Sequence, residues 1–227
     1  MRKIREYFAL PDAEDFIDYK KYTHIIVIVA FVVAMYLMLT VPPYPGHVIF
    51  RVAPIIFLAL LVVYRKVLIN DIKLFGKHWV KYLAVVVQGL LLLLLAGNVG
   101  GIIRALFDVG AAANQEAVNA AFWQMPLLGT FYIAFAGPII EELVFRRAIQ
   151  GAVKSRVLYY ILASTVFGLL HIVIDFSFPT SFAFLPSYVL AGFAFAYIYR
   201  WSKNIWCPII VHVIWNSLSV IMIATSK

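Results

Sequence analysis

Charge is what this chain has least of. Only 13% of its 227 residues are Asp, Glu, Lys or Arg, against roughly 25% in a soluble domain. With 64% of residues hydrophobic, there is too little polar surface to cover a globule in water. Lipid is the solvent this composition points to. Cysteine is nearly absent too, and the single Cys207 excludes an internal disulfide and any cysteine-based zinc site. Acids are scarce, with 11 Asp and Glu against 19 Lys and Arg, for a net charge of +8. In a soluble protein that excess would suggest nucleic acid. Here no basic stripe is interleaved with aromatics, so no nucleic-acid partner is expected. Cationic loops facing anionic lipid account for the charge. Internal repeats and low-complexity tracts are missing, and no H-E-x-x-H occurs, which excludes the common zinc-protease helix.

What the chain does have is long apolar runs. Ile25 to Leu39 reads IIVIVAFVVAMYLML without a charge, close to the roughly 20 residues that cross a bilayer. The Pro-rich loop after it is unlike a signal-peptide cleavage site, so this reads as a retained first helix. Run length predicts spans at His24–Val41, Val48–Tyr64, Trp79–Ile103, Met125–Ala152, Val157–Ile174, Phe182–Tyr199 and Ile205–Ile223. The expected fold is all-α, a polytopic transmembrane helix bundle of about seven spans. A surface helix near 114–123 would make eight helices. One membrane domain over 1–227 is the simplest division, with a polar cytoplasmic segment at 1–22. Pro11 to Asp15 could cap a short interfacial helix there.

The basic residues are distributed unevenly between the loops. In an alternating seven-span arrangement sixteen of the 19 Lys and Arg fall on one side, leaving only Arg51, Arg104 and Lys227 on the other. The positive-inside rule then predicts a cytoplasmic N-terminus.

Polar groups inside the spans carry the functional signal, because a charge near the bilayer centre costs about 2.5–3.5 kcal/mol on insertion scales. Glu141 and Glu142 sit side by side in the fourth run. Pro138 is expected to open a helix there, placing both acids near its N-terminal dipole. Arg146 lies four residues beyond Glu142, so the two can pair. Glu141, about 100° around an α-helix, is left free to face elsewhere. Later runs contribute His171, and His212 with Asn216 at i, i+4 on one face. His24, His47 and His78 lie at span ends and read as interfacial. A glutamate, two histidines and an asparagine from three helices form a workable hydrolytic set. The glutamate can take a proton from water. A histidine can orient that water or protonate a leaving amine, and an amide or imidazole N–H can stabilise an oxyanion. Glu141, His171 and His212 could instead hold a divalent metal such as zinc. At 1.5 Å per residue, His171 lies roughly 20 Å along its helix and His212 only about 10 Å along its own, so convergence requires tilt or offset.

Three ordered motifs, Glu141-Glu142-x-x-x-Arg146, Phe167-x-x-x-His171 and His212-x-x-x-Asn216, occupy three successive polar sites in apolar runs. This set resembles the CAAX protease and bacteriocin-processing family of intramembrane endopeptidases, which includes the Rce1-type prenyl protein proteases. Arg147 stands where many members have glycine. The resemblance covers Gly129 to Ile223 and implies a catalytic helical core over 129–223. It implies that Glu141 activates water with help from His171, and that His212 and Asn216 form the oxyanion site. Glu142, Arg146 and Phe167 would support them. The implied partners are the bilayer, of a bacterial cell, and a substrate that is a prenylated protein or a bacteriocin- or leader-type peptide. Two other readings stand beside it: a non-catalytic immunity or scaffold protein of the same family, and a proton-coupled transporter. Membrane carboxylates and histidines also serve proton relays, but the inverted repeats common in transporters are not visible.

Overall fold

The computed structural model describes residues 19–40, 45–107, 109, 113–173 and 180–226. Among them every regular element is helical. The order is α1 (Lys21–Thr40), α2 (Pro45–Val63), α3 (Arg65–Lys77), α4 (Trp79–Phe107), α5 (Ala113–Gln124), α6 (Pro126–Ala152), α7 (Arg156–Ile172), α8 (Thr180–Ser202) and α9 (Trp206–Thr225). The segment foreseen at 11–15 lies outside the described residues.

By length and composition four helices can cross a membrane: α4, α6, α8 from Ser181, and α9. A fifth candidate is the pair Val52–Val63 and Arg65–Lys77, bent by 71°. The remaining two apolar runs form α1, of 20 residues, and α7, of 17. Seven full-length spans are therefore more than the helices themselves establish. The surface helix expected near 114–123 is α5, whose 12 residues are too few to cross. The structure adds α3, where the run analysis places only a loop. Its Val67, Leu68 and Asp71 face inward while Arg65, Lys66, Lys73 and Lys77 stay outside.

Polarity is arranged for lipid. Ile26, Val29, Val32 and Tyr36 of α1, and Leu91, Leu94 and Leu95 of α4, are exposed. Glu142, Arg146, Arg147, His24 and His212 are buried. A hydrocarbon solvent exerts no hydrophobic drive between helices, so close packing and polar contacts must hold them. Backbone contact between α7 and α8 shows the first of these. A Cβ on Gly192 would lie 3.0 Å from both Cα and O of Ser164. His24 shows the second: it is fully buried, with its Nδ1 3.0 Å from the Tyr64 hydroxyl. His24 stays at a helix end, in the first turn of α1, but that partner lets its imidazole turn into the protein.

α6 departs most from ideal geometry. Tyr132–Ala136 and Glu142–Ala148 are wound as π-helix, with α-helical turns before, between and after. Pro138 does not open a helix; it lies inside α6, two residues past the end of the first π segment. A proline there cannot donate the usual hydrogen bond and crowds the preceding turn. The wider π turn absorbs that. Gly137 N–H bonds back to the Tyr132 carbonyl, and a Cβ on Gly137 would come within 2.9 Å of the same oxygen. The dipole expectation for the glutamates falls with this correction, since they sit mid-helix. Single π turns inside α-helices occur frequently at functional sites.

Replacing Gly192 by valine should force α7 and α8 apart and lower the unfolding temperature in detergent. Overpacking of this kind costs about 1–3 kcal/mol. Gly76→Ala is the control, because nothing lies within 4 Å of a Cβ there.

Candidate active site

The π-wound half of α6 holds a fully buried ion pair. Arg146 Nε donates to Glu142 Oε2 at 2.8 Å, and neither side chain is exposed. Arg146 Nη1 donates to the Ala163 carbonyl on α7 at 2.9 Å. Its guanidinium lies 4.8 Å from the Phe167 ring centre and 5.3 Å from that of Phe195. From α9, His212 Nδ1 meets Glu142 Oε1 at 2.9 Å. Glu142 thus binds α6 to α9, and Arg146 binds α6 to α7.

Glu141 is situated differently. Its side chain is 23% exposed, and its Oε2 lies 4.0 Å from His171 Nε2 and 4.0 Å from His212 Nε2. No described group donates a hydrogen bond to that oxygen. The helical rises of His171 and His212 differ, yet both rings reach the same carboxylate, so α7 and α9 must be offset or inclined to one another. The looser winding at the α–π junction also replaces the 100° step assumed for a regular helix.

Ring orientation follows from partners. His171 Nδ1 faces the Phe167 carbonyl at 2.8 Å; a carbonyl only accepts, so Nδ1 carries the hydrogen. The neutral ring then presents a lone pair at Nε2. His212 does the same when Nδ1 donates to the Glu142 carboxylate. Both rings are clamped by aromatics, His171 between Phe167 and Tyr188 (4.3 and 4.7 Å) and His212 against Phe195 (4.6 Å). Three acceptors therefore converge on one small space. A donor such as water or a proton must sit among them for the cluster to be stable.

A metal could play that part on donor chemistry alone, since two imidazoles and a carboxylate suit catalytic zinc. The spacing does not suit it. Neighbouring ligands of a tetrahedral ion with bonds near 2.0 Å lie about 3.3 Å apart, and here the gaps are 4.0 Å. Among the described residues no group of three or more His, Cys, Asp or Glu is placed to hold a metal ion.

A cavity of about 180 Å³ adjoins the cluster, lined by Phe167, His171, His212 and Asn216 together with Asn114, Gln115, Ser187 and Tyr188. Asn216 Nδ2 donates to the Ile133 carbonyl in the first π segment at 2.9 Å. Tyr188 hydrogen-bonds Asn114. The lining residues Tyr188, Ser187 and Asn114 are absent from the three motifs. The only hint of them is a Ser-Tyr pair within an otherwise apolar run.

Residues 123–218 match the family described as type II CAAX prenyl endopeptidase Rce1-like. This stretch of the chain is similar to an Rce1-like domain. All seven motif residues, Glu141, Glu142, Arg146, Phe167, His171, His212 and Asn216, lie inside it, and α1 to α4 lie before it. Over 130 residues the chain is 31% identical to the putative membrane peptidase YdiL of Bacillus subtilis, covering 56% of this chain and 50% of that protein. The membrane-embedded CAAX protease MroQ of Staphylococcus aureus is 33% identical over 113 residues, 48% of this chain and 44% of that protein. The chain spans about half the length of the curated relatives it matches. No solved structure matches it. Similarity to membrane peptidases and four membrane-length helices make this an integral multi-pass membrane protein.

Arg146→Met leaves the Glu142 carboxylate buried without its cation. Breaking a buried pair this way costs about 3–5 kcal/mol, so the variant should unfold at clearly lower temperature in detergent. A melting curve matching the wild type would contradict the pairing.

Proposed function

We propose that this protein is an intramembrane endopeptidase that hydrolyses a peptide bond of a membrane-associated substrate with water activated by Glu141. The observation that carries the reading is the convergence of Glu141 Oε2 with His171 Nε2 and His212 Nε2, at 4.0 Å each. Water in that space can donate to Glu141 and to His171. Glu141 then takes its proton as the oxygen attacks the scissile carbonyl. Asn216 gives one amide hydrogen to Ile133 and keeps the other for the oxyanion. His212 turns Nδ1 to Glu142, so its Nε2 donates to the oxyanion only as imidazolium. Collapse of the tetrahedral intermediate breaks the C–N bond, and the proton held by Glu141 passes to the leaving amine. Glu142, Arg146 and Phe167 hold the site in place. The substrate is a prenylated C-terminus or a bacteriocin- or leader-type peptide, as the resemblance and the name of the staphylococcal relative suggest.

The test is purified protein against a peptide panel, with and without chelator. Glu141→Gln should reduce cleavage about 10²–10⁴-fold, the usual worth of a general base, with the melting temperature unchanged. His171→Ala should also lose activity. Full activity of Glu141→Gln would overturn the mechanism, and loss of activity on chelation would replace the metal-free version.

A further inference from the structure

The two ends of the helix bundle differ in charge, and the candidate site faces only one of them. At the first end, polar contacts tie together the start of α1, the α2–α3 bend, α3, the end of α6 and the α8–α9 turn. His24 meets Tyr64, and the Arg147 guanidinium lies 5.6 Å from the Tyr19 ring. Asp71 Oδ2 accepts from Ile205 N–H at 2.9 Å, and Asn204 Nδ2 donates to the Asp71 carbonyl at 2.7 Å. Lys20, Lys21, Arg65, Lys66, Lys154, Arg156, Arg200 and Lys203 all belong to the segments gathered at this end. At the second end, Arg104 Nη1 donates to Ser187 Oγ at 3.1 Å, and Ile172 packs with Phe184, Tyr188 and Val109. Arg104 is the one Lys or Arg there among residues whose side chains are described.

The cavity runs from His171 and His212 toward the second end. It passes Ser187 and Tyr188 near the start of α8 and Ser219 late in α9, and reaches Gln115 on α5, which is exposed. Toward the first end the site is closed. The Glu142–Arg146 pair is fully buried there, with Phe145 and Phe195 against the guanidinium, and Ile198 and Tyr199 further along α8 are buried too. Loops rich in Lys and Arg remain on the cytoplasmic side of a membrane.

We propose that the site opens to the non-cytoplasmic side of the membrane and takes peptide segments presented there, not cytoplasmic protein tails. The sidedness rests on charge and cavity alone; the uptake of peptide rests on the protease reading. Of the two substrate classes above, it selects the exported peptide over the prenylated cytoplasmic C-terminus.

Single cysteines test it in a Cys207→Ala background, since native Cys207 is buried. Gln115→Cys, at the cavity mouth, should react with a membrane-impermeant maleimide on intact cells. Lys154→Cys, exposed at the cation-rich end, should react only after permeabilisation. The reverse pattern, or a Gln115→Cys that labels only after permeabilisation, overturns the proposal. A second arm adds peptide outside sealed right-side-out vesicles, where cleavage should proceed without permeabilisation; cleavage only after permeabilisation overturns it. If labelling is as expected but no peptide is cleaved even in detergent, the protease reading fails and the sidedness stands.

Discussion

A carboxylate and a guanidinium, paired where no water reaches them, fix the arrangement of everything around them. Glu142 and Arg146 are both fully buried in a chain whose surroundings are hydrocarbon. Either charge alone would be prohibitive there. Once paired, they have hydrogen-bonding capacity to spare, and the neighbouring helices use it. Arg146 reaches the Ala163 carbonyl of α7, and Glu142 reaches His212 of α9. Phe145, Phe167 and Phe195 pack around the guanidinium. Since hydrocarbon does not press helices together, this polar centre and the glycine contacts between α7 and α8 set where the helices cross. The ring orientations of the two histidines follow from the same centre.

Glu141 gains its character by contrast. It adjoins a residue whose bonds are all assigned, while its own inward oxygen receives none from the described groups. Two imidazole lone pairs face it. The irregular winding of α6 makes this possible, because Gly137 and Pro138 require the helix to loosen just before the acids and a second π segment begins at Glu142. Two adjacent carboxylates in one helix thereby meet different surroundings, one closed and neutralised, the other beside two histidines that line a small cavity.

Much of this was legible in the sequence. Charge scarcity and apolar runs gave the helical membrane class, and i, i+4 spacing gave the Glu142–Arg146 pair. Motif order brought Glu141, His171 and His212 together before any distance was known. What was not legible depends on tertiary partners. Burial of His24 is set by Tyr64, forty residues away. The helix α3 was hidden because four basic residues on its outer side break the apolar run, although Asp71 caps the start of α9 from it. Pro138 was misread because a proline opening a helix and a proline absorbed by a π turn look alike in one dimension. Tyr188 and Asn114 belong to no motif and come to the cavity only through the packing of α5 and α8. Span number is not settled by helix length and composition alone, since an apolar run of span length can form a short or bent helix.

The central claim is that the two adjacent glutamates are physically different residues. A double-mutant cycle on thermal unfolding in detergent measures this directly, using Arg146→Met with Glu142→Gln and, separately, with Glu141→Gln. Contacting pairs couple by about 0.5–3 kcal/mol, and independent sites add to within roughly 0.5 kcal/mol. The account predicts strong coupling of Arg146 to Glu142 and additivity with Glu141. Equal coupling to both acids would contradict it.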